Sequence, residues 1–194
     1  MVVPTISINY SGPINHPAST KLRNVLCGAA NERDQKTGAV KFDKLNLYMS
    51  SHGGSLDDGM SLYGFLRSFP LELTTINTGM VASIAILPFL AGKNRIALPH
   101  SLFHFHDYEM NYPAAHNLTR LEFQDHTQNL NAIRDVTFKL LKEHTAFTDE
   151  TLQQLQLLST PIVKDATFAK ERGIVNEVKD FPISEDRTVI NVDY

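Results

Sequence analysis

Residues 78–92 read TGMVASIAILPFLAG, an apolar run with a single serine, Ser83, between Ala82 and Ile84. Leu73 to Asn77 before it is β-branched and reads as a strand. Val81 to Leu90 has helical spacing. The expectation is a strand, a turn allowed by Gly79, and Ser83 at the start of an apolar helix. A hydroxyl there feels the positive helix end, and the next N–H points outward. That is the logic of a nucleophile elbow without the G-x-S-x-G sequence. The alternative is a small core serine bonding a carbonyl one turn back.

The strand upstream, Leu45 to Met49, breaks at Ser50-Ser51-His52-Gly53-Gly54-Ser55. Paired glycines after a strand allow positive φ and close backbone approach. Their N–H groups can hold an anion or a developing oxyanion; the alternative is an ordinary turn. Downstream, Leu102 to His106 alternates. His104 and His106 share a face with Leu102, and Phe103 and Phe105 take the other. A histidine at the C-terminal end of a parallel strand is a natural general base. A metal pair is the rival reading, but a metal needs further ligands, and Asp107 faces away if the strand continues. No metal and no cofactor are expected.

Further strands are expected at Thr5–Tyr10, Arg95–Leu98 and Ile174–Val178. Helices are expected after a cap at Ser19 or Thr20, over Asp57–Phe69, Leu118–His144 and Thr148–Leu158, and over Ala166–Arg172 capped by Asp165. Alternating strands and helices argue for an α/β domain with a mainly parallel sheet. The 194 residues suit a single domain spanning 1–194, and 42% hydrophobic with 20% charged residues is ordinary for a globular protein. A net charge of -3 gives no electrostatic case for nucleic acid or an acidic membrane surface. The longest apolar run is too short to span a bilayer. Cys27 is the sole cysteine, which fits a reducing, cytoplasmic compartment.

These pieces, in this order, resemble the Clp protease proteolytic subunit (ClpP) family, over roughly residues 5–178. LNLYMSSHGGSLDDGMSLYGFLRS is similar to the family's strand, SPGGS turn and helix. TINTGMVASIAILPFLAGKNRIALPHSLFHFH is similar to its G-x-A-A-S-M-G nucleophile segment, A-L-P-N-S and M-I-H strand. KLLKEHT resembles the end of its long handle helix, and FAKERGIVNEV its closing A-x-x-Y-G-L-V-D. The resemblance implies the ClpP/crotonase fold, with a handle region at about 107–145. It implies a serine endopeptidase with Ser83 as nucleophile and His106 as base, His106 lying seven residues after Pro99 as in the family. Gly54 and Ile84 would donate the oxyanion N–H groups, and Gly53, Ser55 and His52 would lie along the substrate. Substrates would be peptides or unfolded segments, added as a strand beside Gly53-Gly54 within a homo-oligomeric ring.

The chain departs from that pattern in four places. The family's catalytic aspartate falls at about Pro161, where there is no acid; Asp165, Asp107, Ser159 and Thr160 are the nearby substitutes, with Asp165 the candidate third member. His52 replaces the proline of SPGGS. Asp107 to Pro113 replaces the family's glycine-rich handle strand, which puts double-ring assembly in question. The chain begins almost at the first strand, without a match to the segment that engages an unfoldase, so an AAA+ partner has no support. A second expectation is a weak or inactive ClpP-like subunit acting in assembly or regulation. A crotonase-type acyl-CoA enzyme ranks last, because it predicts acids and no Ser–His pair.

Overall fold

The computed structural model describes residues 5–35, 37–109, 119–155, 157–182 and 188–192. β1 (Thr5–Ser11), β2 (Lys44–Ser51) and β3 (Glu72–Ala82) run parallel in that order, and β8 (Thr188–Val192) joins the free edge of β1. β3 is long enough to serve two neighbours on its other edge. Its Thr74–Asn77 half pairs with β4 (Asn94–Ala97), which continues to β7 (Glu177–Val178). Its Met80–Ala82 half pairs with β5 (Leu102–Phe105), which continues to β6 (Ile162–Asp165). The β5–β6 pair is antiparallel, and every other pairing among the described strands is parallel.

The fork sits at Asn77, which is fully buried. Its Nδ2 donates to the Leu102 carbonyl at 2.8 Å, and its Oδ1 accepts from the Gly79 N–H at 3.0 Å. Its own carbonyl accepts from the Leu98 N–H at 3.0 Å. A side-chain amide thus supplies bonds that the ladder loses where two strands diverge.

Across β3 the register also shifts. Met49 pairs with Asn77 but Ser51 pairs with Val81, so two steps along β2 match four along β3. Gly79 lies in that bulge, where a β carbon would come 3.1 Å from Ser50 Oγ. This corrects the expected turn at Gly79. The strand runs on to Ala82, a 3₁₀ turn covers Ser83–Ala85, and α3 (Ile86–Leu90) follows.

The other helices are α1 (His16–Asn31), α2 (Leu56–Arg67), α4 (Arg120–His144), α5 (Asp149–Gln154) and α6 (Ala166–Glu171). Ile6, Ile8, Leu45, Leu47 and Met49 from the sheet close one core with Leu22, Leu26, Leu62, Leu66, Leu87 and Phe89. The cap of α1 is Asn15, whose Oδ1 accepts from the Ala18 N–H at 2.9 Å, and Ser19 is buried inside the helix. Pro17 in the first turn explains the earlier start, since it needs no N–H partner there. α5 stops at Gln154, short of the expected Leu158, which holds φ +61°. β6 and β8 carry no extended period-two pattern and were not expected.

α4 opens with a capping box, in which Thr119 Oγ1 accepts from the Glu122 N–H and Glu122 accepts from the Thr119 N–H. Its expected start at Leu118, and residues 110–113 of the handle segment, lie outside the described residues. Leu121 and Phe123 are 70% and 61% exposed and lie outside the core cluster of the described residues. The far end of α4 is anchored by Arg95, buried beneath it. Nε and Nη1 of Arg95 donate to the carbonyls of Ile174 and Gly92, and Nη2 to those of His144 and Gly173. No helix among the described residues is long and apolar enough to cross a membrane.

Candidate active site

Ser83 follows the last residue of β3 and holds φ +54°. A left-handed conformation costs a non-glycine residue about 1–2 kcal/mol, and such strain collects at functional positions. The kink turns the chain from strand to helix in one residue. Ser83 is 7% exposed, so its hydroxyl sits at the floor of a surface site. Its Oγ makes no hydrogen bond among the described residues. The N–H of Ile84 opens the first helical turn, where backbone donors have no acceptor within the helix.

The glycine turn is folded onto this serine. Gly53 holds φ +93°, and a β carbon there would come 2.7 Å from Ser83 Cβ and 3.3 Å from Ser83 Oγ. The Gly53 carbonyl accepts from the Ile14 N–H at 2.8 Å, and the Ser55 N–H donates to the Ile14 carbonyl at 2.7 Å. A β carbon on Gly54, at φ +147°, would overlap that same Ile14 carbonyl. Gly54 is thereby held from one side, and its N–H has no partner among the described residues. Ile14 already occupies one edge of the turn, which confines an added peptide strand to the Gly54 side. Gly53's own N–H goes to Ser51 Oγ at 3.2 Å, so it is a shaping residue. Ser55 caps α2, its Oγ accepting from the Asp58 N–H at 3.3 Å. His52 is exposed beside the turn.

β5 runs beside the end of β3. Ala82 pairs with His104, so Ser83 and His106 follow on neighbouring strands, one and two residues past that pair. Phe103 and Phe105 are fully buried while His104 and His106 are half-exposed, as the alternation predicts. No hydrogen bond joins Ser83 to His106 here. Nδ1 of His106 is 2.6 Å from the Asp107 main-chain oxygen. A carbonyl only accepts, so Nδ1 carries the proton and Nε2 keeps its lone pair. The Asp107 carboxylate is elsewhere, accepting from the Tyr108 N–H at 2.9 Å. The imidazoles of His104 and His106 lie 5.1 Å apart, their planes at 49°. Burial first, then the nearby His106 and His52, holds His104 below the usual histidine pKa.

Asp165 is not brought to His106. It pairs with Leu102 on the antiparallel ladder, and Phe105 pairs with Ile162. The ladder ends at Phe105 and Ile162; carried one step further, its register would oppose His106 with Pro161, and Asp165 stands at the other end. Four residues of strand separate the two positions, about 13 Å. The Asp165 carboxylate caps α6, accepting from the Phe168 N–H at 2.8 Å. Ser159 and Thr160 are exposed and line a cavity of about 660 Å³ between α4 and α5, which holds none of the candidate catalytic residues.

A groove of about 480 Å³ opens beside Gly54. Pro13, Ile14 and Leu56 line one wall, Asn129 and Ile133 of α4 the other, and Ser55 its floor. It is the space next to the Gly54 N–H, and Asn15, Asp57 and Glu109 add polar and acidic groups to its apolar wall.

Two contributors escaped the sequence reading. The Asp107 main-chain oxygen left no residue-type signal, because any residue has one. Gly59 did leave a signal, a glycine inside a helical pattern. A β carbon there would overlap the Ile84 side chain, so α2 presses directly against the residue that follows Ser83.

The Clp protease family model matches residues 6–181. The ATP-dependent Clp protease proteolytic subunit of Pinus contorta is 25% identical over 142 residues, covering 72% of this chain and 67% of that protein. The ATP-dependent Clp protease proteolytic subunit 2 of Borreliella burgdorferi is 26% identical over 147 residues, covering 72% and 69%. Among solved structures, a ClpP1 mutant from Listeria monocytogenes matches with a TM-score of 0.68 at 21% identity, covering 90% of this chain and 91% of that one. That structural likeness shows the fold.

Proposed function

The chain belongs to the Clp protease family, and from that premise we propose that it is a serine endopeptidase acting on peptides or unfolded segments. Ser83 is the nucleophile and His106 the base. The observation that carries this reading is the strained Ser83, packed on Gly53 with the Gly54 and Ile84 N–H groups beside it.

In the proposed reaction, Nε2 of His106 takes the Ser83 proton as Oγ attacks the peptide carbonyl. The oxyanion is held by the N–H groups of Gly54 and Ile84. The imidazolium then protonates the leaving amine, and water, activated by the same nitrogen, releases the acyl group. The main-chain oxygen of Asp107 does the orienting work of the missing acid by accepting from Nδ1–H. A neutral carbonyl stabilises the imidazolium less than a carboxylate does. Losing the orienting acid costs serine proteases about four orders of magnitude in rate, and the carbonyl recovers part of that.

A homo-oligomeric ring in a reducing, cytoplasmic compartment is part of the proposal. The exposed Leu121 and Phe123 on α4 support it, since a subunit interface would cover them. An ATP-driven unfoldase is not part of it. The second reading, a weak or inactive subunit with an assembly or regulatory role, is favoured by Asp165 standing at the far end of the β5–β6 ladder from His106 and by the want of a hydrogen bond between Ser83 and His106.

Labelling with a fluorophosphonate probe tests the choice. Labelling of the natural protein that is lost in Ser83→Ala and reduced strongly in His106→Ala supports the peptidase. No labelling of folded, assembled protein would sink it in favour of the inactive subunit.

A further inference from the structure

The family pattern M-I-H has one histidine where this chain reads His104-Phe105-His106. The second imidazole is therefore this chain's own, and it lies against the base. We propose that His104 and His106 together chelate an exchangeable divalent transition-metal ion of the Zn²⁺ class, which switches the site off by occupying the lone pair of the base. The inhibitory consequence rests on the peptidase reading; the binding site does not.

The geometry fits a two-imidazole chelate. Zinc binds an imidazole nitrogen at about 2.1 Å, so two rings on one tetrahedral ion have centroids roughly 5 Å apart. The observed separation is 5.1 Å, with the planes at 49°. Both rings project from one face at the end of β5 and are half-exposed, so an ion and its waters can reach them. His106 is set up as a ligand by its second bond. Nδ1–H donates to the Asp107 carbonyl, which fixes the tautomer, orients the ring and leaves Nε2 free. His104 has no hydrogen bond among the described residues.

Imidazole pairs select Zn²⁺, Cu²⁺ and Ni²⁺ over Mg²⁺ and Ca²⁺. Among the described residues no three His, Cys, Asp or Glu side chains gather to hold a metal. The ion would keep water in its remaining positions, as an exchangeable regulator does and a resident structural metal does not. The sequence argument against a resident metal, the want of further ligands, does not apply to such an ion. Once Nε2 is bonded to the metal it cannot accept the Ser83 proton, so substrate can bind but acylation stops.

The test is a Zn²⁺ titration of the metal-stripped full chain against a chromophoric zinc indicator. One ion per chain is expected, with affinity at least about tenfold weaker in His104→Ala and in His104→Gln, the scale on which metal-site changes act. The two variants guard against one failing to fold, which circular dichroism checks. Zn²⁺ should also block fluorophosphonate labelling reversibly by EDTA, and each His104 variant, compared with its own metal-free rate, should resist about tenfold more Zn²⁺. Zinc binding unchanged in both His104 variants overturns the proposal, whether or not the protein labels. Binding that follows His104 in a protein that never labels would leave the metal site standing and remove the peptidase.

Discussion

His106 donates from Nδ1 to the main-chain oxygen of Asp107 at 2.6 Å, so this imidazole is oriented by its own neighbour's backbone. The β5–β6 ladder ends at Phe105 and Ile162, one step short of His106 and Pro161, while Asp165 sits at the other end as a helix cap. Asp165→Ala should therefore leave kcat/KM within about threefold and cost about 1 kcal/mol of stability as a lost N-cap. Pro161→Asp should raise kcat/KM by at least about tenfold, by setting a carboxylate beside the imidazole. Steady-state peptide hydrolysis and urea unfolding of both variants check this. A large loss of activity in Asp165→Ala with an unchanged unfolding midpoint would contradict it.

Strain at Ser83 has a thermodynamic signature separate from its chemistry. Ser83→Ala and Ser83→Gly both remove the proposed nucleophile, but only glycine adopts φ +54° without a penalty. Ser83→Gly should be the more stable by about 1 kcal/mol in urea unfolding, with both unlabelled by a fluorophosphonate. Equal midpoints would mean that the kink stores no strain.

Gly59 packs against Ile84, the proposed oxyanion donor. A methyl group there must push the Ile84 side chain away from α2. Gly59→Ala should lower kcat by at least about tenfold with KM little changed, since the hole is engaged in the transition state. A purely structural role would instead appear as a lower melting temperature with normal kcat.

His144 makes stability depend on pH. Burial, then the charges of Arg67 and Arg95, lowers its pKa, and its Nε2 is 2.8 Å from the Tyr63 hydroxyl. The folded chain thus resists protonating a group that the unfolded chain protonates near pH 6.5. That contribution is complete above the unfolded pKa and is lost as pH falls through it towards the lower folded value. Urea midpoints should drop between pH 7.5 and 5.5, and His144→Gln should flatten part of that drop. A wild-type slope shared by the variant would assign the effect to other groups.

Local chemistry made much of this molecule legible. The period-two run of β1, the apolar spacing of α2 and α4, the Asp165 cap and the alternation of Phe103 and Phe105 against His104 and His106 are short-range properties, set by each residue and its near neighbours. The glycine pair and the lone serine in an apolar run pointed to the same site from two separate strands. Tertiary structure alone decided where β3 ends, because its last residues are held by β5 and by the Asn77 amide and not by their own propensity. It alone set Ile162 beside Phe105 and Asp165 at the far end of the pair, since the register of β6 comes from a ladder across more than fifty residues of intervening chain. It alone turned a carbonyl of Asp107 into the orienting group. Main-chain oxygens are identical in every residue, and only the folded path aims one of them at an imidazole.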